Sequence, residues 1–127
     1  NAKIYFSYML DYWTHADGAF EEDLDTWVDN FMKPGNMQGG LNWYTAVNEL
    51  RMKAMRGGPL DVPKIEVPTR VFWGAGDKVL KAKWSDKLGD YFSDLRKVDV
   101  VPEAGHFVHY EQPERTNDEI IRFFNSL

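Results

Sequence analysis

Two short β-branched and aromatic runs, each ending in a glycine turn that carries one chemically active side chain, limit what this chain can be. Thr69-Arg70-Val71-Phe72-Trp73 leads into Gly74-Ala75-Gly76-Asp77, and Lys97-Val98-Asp99-Val100-Val101 leads into Glu103-Ala104-Gly105-His106. Asp77 and His106 stand 29 positions apart, with a stretch of helical spacing between them. Strand, turn, helix, strand, turn, helix is the pattern of parallel βα units. It places both polar residues just past the C-terminal ends of neighbouring strands, the edge at which open α/β sheets carry their chemistry. The reading is an α/β fold.

Two strands do not make a stable parallel sheet, because such sheets need both faces and their neighbours covered. The sequence is therefore expected to be the C-terminal part of a larger α/β protein. A second polypeptide or a further segment would supply the other strands. The first residue, Asn1, is in keeping with that expectation.

Residues 1–58 read as a helical segment and 59–127 as part of the α/β core. Asn1 to Trp13 is one aromatic-rich helix. Phe20, Leu24, Trp27, Val28 and Phe31 fall at offsets 0, 4, 7, 8 and 11, an amphipathic second helix that Lys33-Pro34-Gly35-Asn36 stops. A third runs from near Met37 to Met55, with Trp43, Val47, Leu50 and Ala54 on one face and Tyr44 about 100° round from it. Gly57 to Pro68, which includes Leu60 and three prolines, is an extended crossing to the sheet. Trp84, Leu88, Tyr91, Phe92 and Leu95 suggest a helix between the strands. A last helix begins near Pro113 and shows Ile120, Ile121, Phe123 and Phe124 on its apolar side.

Charge and composition exclude some functions. Fifteen basic and twenty acidic residues give a net charge of −5, and the basic ones are interspersed, which argues against nucleic acid or an anionic membrane as partner. Runs such as Ile4-Tyr5-Phe6 are far too short to cross a bilayer. There is no cysteine, hence no disulfide framework. Aromatic residues make up 15%, and those in the first half suit a pocket or interface lining as well as a core.

Asp77 alone would be an ordinary turn residue, and His106 alone could be a structural one. Together they favour catalysis. An Asp that accepts from one ring N–H fixes the imidazole tautomer and leaves the other nitrogen to take a proton. His106 and His109, with Glu103 and Glu111 nearby, form only a weak metal signal, so no metal or cofactor is expected. His109 reads as a helix-start or pocket-edge residue and His15 as a solvated loop residue. The nucleophile is missing: Ser7, Ser85, Ser93 and Ser126 all lack the flanking glycines of a strand-to-helix elbow.

Val67 to Leu80 and Val101 to Glu114 resemble the last two strand turns of the α/β-hydrolase superfamily. The segment Lys33 to Tyr44, ending in Asn42-Trp43-Tyr44, is similar to the cap of epoxide hydrolases. The resemblance covers nearly all of this chain but only the C-terminal part of that family's. It implies that residues 1–58 are a helical cap, that His106 is the base, Asp77 its orienting acid and Tyr44 the cap electrophile. Trp43 and Phe107 would line the substrate site, Phe107 also shielding the imidazole. The implied reaction opens an epoxide on an Asp nucleophile outside this chain, to give a diol. The implied partners are the N-terminal portion of the hydrolase, a small hydrophobic substrate and water, and this chain alone would be inactive. A haloacetate or haloalkane dehalogenase and a serine esterase of the same fold are the nearest rivals. A non-catalytic hydrolase-fold binder, or an inert fragment recovered as an intertwined homo-oligomer, are the non-enzyme ones.

Overall fold

A computed structural model describes residues 2–59 and 61–127. Asn1, expected in the first helix, and Leu60, in the connector, lie outside the described residues. Four helices come first: α1 (Ala2–Trp13), α2 (Leu24–Met32), α3 (Asn36–Ala46) and α4 (Asn48–Met55). Strand β1 (Thr69–Gly74) follows, then a 3-10 helix (Ala82–Asp90), strand β2 (Leu95–Val101), and helices α5 (Val108–Glu111) and α6 (Pro113–Phe124).

The two strands pair in parallel, with Val71 opposite Val98, Trp73 opposite Val100 and Gly74 opposite Val101. The ladder slips once, between Thr69 and Arg70. Near its start the crossing segment adds a single parallel bridge, Ile65 to Phe92. The strand-and-turn reading of the sequence matches this arrangement, because β-branched runs settle on a pleated surface and glycines end them.

Three helical expectations change. Phe20 to Asp23 form turns, and α2 starts only at Leu24. Gly18, at φ +72, reverses the chain just ahead of them, and the Phe20 ring meets Trp27 of α2 edge-on at 5.7 Å while stacking on Tyr110 at 4.0 Å. The expected helix from Met37 to Met55 is two, parted at Val47 (φ −97, ψ 6). Gly39 and Gly40 weaken the first of them, and neither buries a residue to enforce continuity. The segment after Asp77 is a 3-10 helix that ends at Asp90, and Leu95 belongs to β2. Gly89 and Asp90 are poor helix formers, and ladder pairing from Leu95 onward recruits the rest.

Val101, Ala104 and Val108 form the core at the C-terminal end of the strands, with Phe72 packed on it. A second buried group, Phe6, Leu10, Phe20 and Val28, lies among the first helices, where Phe6 stacks on Phe31 at 4.1 Å. The face of the sheet that bears Phe72 is held by ions nearer the start of the strands, where Arg70 also lies over the Phe72 ring. Arg70 donates from Nε and Nη2 to Asp99 Oδ2 (3.0 and 2.8 Å), and its Nη1 reaches Glu119 Oε2 at 2.6 Å. Lys97 Nζ adds a contact to Asp99 Oδ1 at 2.7 Å. These join β1, β2 and α6. Burial pushes the Asp99 carboxyl up, but hydrogen bonds from Lys97 and Arg70 outweigh it and hold the group below the usual carboxylate range.

A depressed carboxylate contributes stability that is present above its unfolded pKa and lost as pH falls through its folded one. Asp99→Asn should therefore lower stability by about 2 kcal/mol at neutral pH, the scale of hydrogen bonds to charged groups. The gap to the parent should close on acidification toward and below pH ~4. Denaturant unfolding at a series of pH values checks both; a gap that is independent of pH would contradict the assignment.

Candidate active site

The two glycine turns lie against each other. Past the last ladder pair, the Ala75 N–H donates to Val101 O and the Gly76 N–H to Ala104 O, each at 2.9 Å. A Cβ on Gly74 would stand 1.9 Å from the Gly105 carbonyl oxygen, and one on Gly105 would stand 2.6 Å from the Trp13 carbonyl oxygen and the His15 nitrogen. Backbone thus meets backbone at both turns, which only glycine permits. Glu103 turns the chain just before, at φ +55, a left-handed conformation uncommon for a residue with a side chain.

This packing brings Asp77 and His106 together. Asp77 is buried, and its Oδ1 accepts the N–H groups of Val79 and Leu80, both at 2.8 Å. Its Oδ2 lies 3.0 Å from His106 Nδ1. A carboxylate held by two backbone donors has one rotamer left, and it points at the ring. The network assigns the proton to Nδ1, which leaves the Nε2 lone pair free. Among the described residues none hydrogen-bonds Nε2. The imidazole is about a quarter exposed, while the Asp77 side chain is almost fully covered. An oriented, partly open imidazole with a free Nε2 can take a proton from water or a hydroxyl.

Aromatic rings confine the imidazole. Trp13 meets it edge-on at 5.0 Å and Phe107 at 5.2 Å. Phe20 then packs its edge on Phe107 (5.0 Å) and stacks on Tyr110 (4.0 Å). Tyr110 donates its hydroxyl to Asp23 at 2.6 Å. That hydrogen bond, with burial and the Asp23 charge, pushes the phenol up to about 12, so it remains a donor across physiological pH.

Of the residues singled out from the sequence, Asp77, His106 and Phe107 come together. Trp43 and Tyr44 do not join them. Both lie on α3, 60% and 47% exposed, in edge contact with each other at 5.0 Å, and Arg51 lies over the Tyr44 ring. No hydrogen bond or ring contact links either to Asp77 or His106 among the described residues. Glu103, Glu111, His106 and His109 do not converge, and no group of three such side chains is placed to hold a metal among the described residues.

Two contributors escaped the sequence reading. Trp13, read as the end of a helix, supplies both a ring and a carbonyl to the histidine turn. Glu111, weighed only as a metal neighbour, binds backbone. Neither has a local signal, since their partners are roughly a hundred residues away or across a turn.

No protein-family model matches the chain. Epoxide hydrolase 3 of Mus musculus is 24% identical across 96% of this chain and 33% of its own length. Monoacylglycerol lipase ABHD6 of Mus musculus is 36% identical, across 53% of this chain and 20% of its own. The chain thus spans a third or less of these curated relatives. Among solved structures, that of the meta-cleavage product hydrolase CumD superposes with a TM-score of 0.72 at 18% identity, over 98% of this chain and 46% of that one.

Gly105→Ala tests the backbone packing. The variant should lose about 2 kcal/mol or more, the scale of overpacking, and should separate the imidazole from Asp77. Thermal unfolding together with the NMR signal of the His106 ring proton reads both, and a variant unchanged in each would refute the close approach.

Proposed function

Since the chain carries the C-terminal strands and helices of an α/β-hydrolase fold, we propose that it supplies the acid and histidine of an epoxide hydrolase. One observation carries the reading: Asp77 Oδ2 at 3.0 Å from His106 Nδ1, at the C-terminal edge of a parallel strand pair. The likeness to an epoxide hydrolase extends over nearly the whole chain, the helical half included, whereas that to the lipase covers about half. This favours the epoxide over the ester.

In this reading residues 1–58 are the cap and 59–127 are core. A companion portion of the hydrolase provides the nucleophilic Asp and the remaining strands. Exposed apolar residues on the connector, the sheet and α6, among them Val67, Val100, Ile121 and Phe124, support such a companion. No nucleic acid, membrane or cofactor takes part.

The nucleophilic carboxylate attacks an epoxide carbon; a C–O bond forms, the ring C–O bond breaks, and an ester results. Tyr44 gives its proton to the leaving alkoxide once the cap is seated on the companion portion. Charge develops on that oxygen during opening, so a donor there lowers the barrier. Trp43 and Phe107 border the hydrophobic substrate. His106 Nε2 then removes a proton from water, and the hydroxide attacks the ester carbonyl. Asp77 steadies the imidazolium that forms. The tetrahedral adduct collapses and the diol oxygen recovers a proton from His106; the carboxylic acid left behind returns its proton through solvent to the Tyr44 phenolate, which frees the carboxylate for the next turn. Epoxide plus water gives diol.

In the complete hydrolase, His106→Ala should still open the ring once and then stall. Mass spectrometry should find one substrate-sized adduct per enzyme, and diol release should fall about a thousandfold or more. Asp77→Ala should behave alike. Normal turnover by the His106 variant would remove the assignment. Tyr44→Phe should slow ring opening about a hundredfold, as loss of an oxyanion donor does, without trapping an adduct. Pre-steady-state adduct formation measures it, and an unaltered opening rate would exclude Tyr44.

A further inference from the structure

We infer that Glu111 is a positioning residue for His106, an assignment that rests on the proposed role of that histidine. Glu111 closes α5. Its Oε1 accepts the N–H of Gly105 at 2.9 Å and of Phe107 at 3.3 Å, the residues on either side of His106. Its Oε2 accepts the N–H of His15 at 2.6 Å, across 96 positions of chain. Between the two turn donors, the N–H of His106 itself goes to the Trp13 carbonyl at 2.8 Å.

Three consecutive backbone donors around the imidazole are thus bound. Two are held by one carboxylate, and the third by the loop that the same carboxylate anchors. Glu suits the place because a carboxylate only accepts, with lone pairs for several donors on two oxygens. A Gln of the same shape would turn an NH2 group toward a backbone N–H. The carboxylate touches neither the ring nor any reacting atom. It acts through the backbone, fixing where the His106 Cα sits and how the ring reaches Asp77. It also ties the end of α1 to the histidine turn, so the helical half and the sheet edge hold one geometry. A displacement of about 1 Å in a group of this kind can cost about a hundredfold in rate.

The test uses the complete hydrolase with styrene oxide as probe, and compares Glu111→Gln, Glu111→Ala and His106→Ala with the parent. Glu111→Gln should lower kcat about ten- to a hundredfold, with KM changed by less than about twofold. The ester should accumulate in the steady state, and the low-field proton signal of His106 Nδ1–H should shift or broaden. A Glu111→Gln enzyme with parental kcat and an unmoved low-field signal overturns the inference, even if it melts at lower temperature. Should Glu111→Ala fail to fold, the isosteric Gln variant and its proton signal carry the decision. His106→Ala separates the two levels. If it turns over normally, the role of the histidine falls and this inference with it. If it is inactive while Glu111→Gln is parental, only the positioning role falls.

Discussion

The site depends on the direct contact of two backbones where the parallel ladder runs out. Gly74 and Gly105 let the turns after β1 and β2 approach until a methyl group on either would collide with main-chain atoms. Hydrogen bonds from Ala75 and Gly76 then make the two turns one unit. Asp77 and His106 inherit their separation from this unit. Side-chain packing alone would not reproduce it, because rotamers adjust by fractions of an ångström while a stitched backbone does not.

The helical half is bound to this unit through a short loop. Thr14 is fully buried, its hydroxyl 2.9 Å from the carbonyls of Asp11 and Ala16. It closes α1 tightly enough that Trp13 offers its carbonyl and His15 its N–H to the histidine turn. Around that polar knot Phe20, Phe107 and Tyr110 form an apolar collar. The Thr14 hydroxyl, the Trp13 carbonyl, the His15 N–H and the Glu111 carboxylate are all hydrogen-bonded there, and aromatic surface keeps water from competing for them. By contrast α3 and α4 bury nothing within the described residues. Their apolar side chains, Leu41, Trp43, Leu50 and Met55 among them, face outward.

Much of the sheet edge could be read from residue order, because its causes are local. β-Branched runs become strands, and glycines end them. An acid or a histidine placed in the turn has nowhere to go but the strand's C-terminal end. Element boundaries were less legible. Val47 parts α3 from α4 although the apolar spacing runs on across it, and Leu95 continues the helical spacing of Trp84 and Leu88 yet pairs in β2. In both cases pairing or the lack of burial decides, and periodicity reports neither. Phe20 likewise fits a helix stripe by spacing but serves the collar around Phe107.

The sequence by itself determined the kind of unit, parallel βα with an acid and a histidine in successive turns, since propensity and turn chemistry act within a few residues. Tertiary structure alone decided that Asp77 meets His106 at 3.0 Å, and that Glu111 and Trp13 hold the turn. It also decided that Tyr44 stands apart on an exposed helix. Those outcomes follow from how distant backbones come into contact, a property of the folded whole that no local pattern of residues contains.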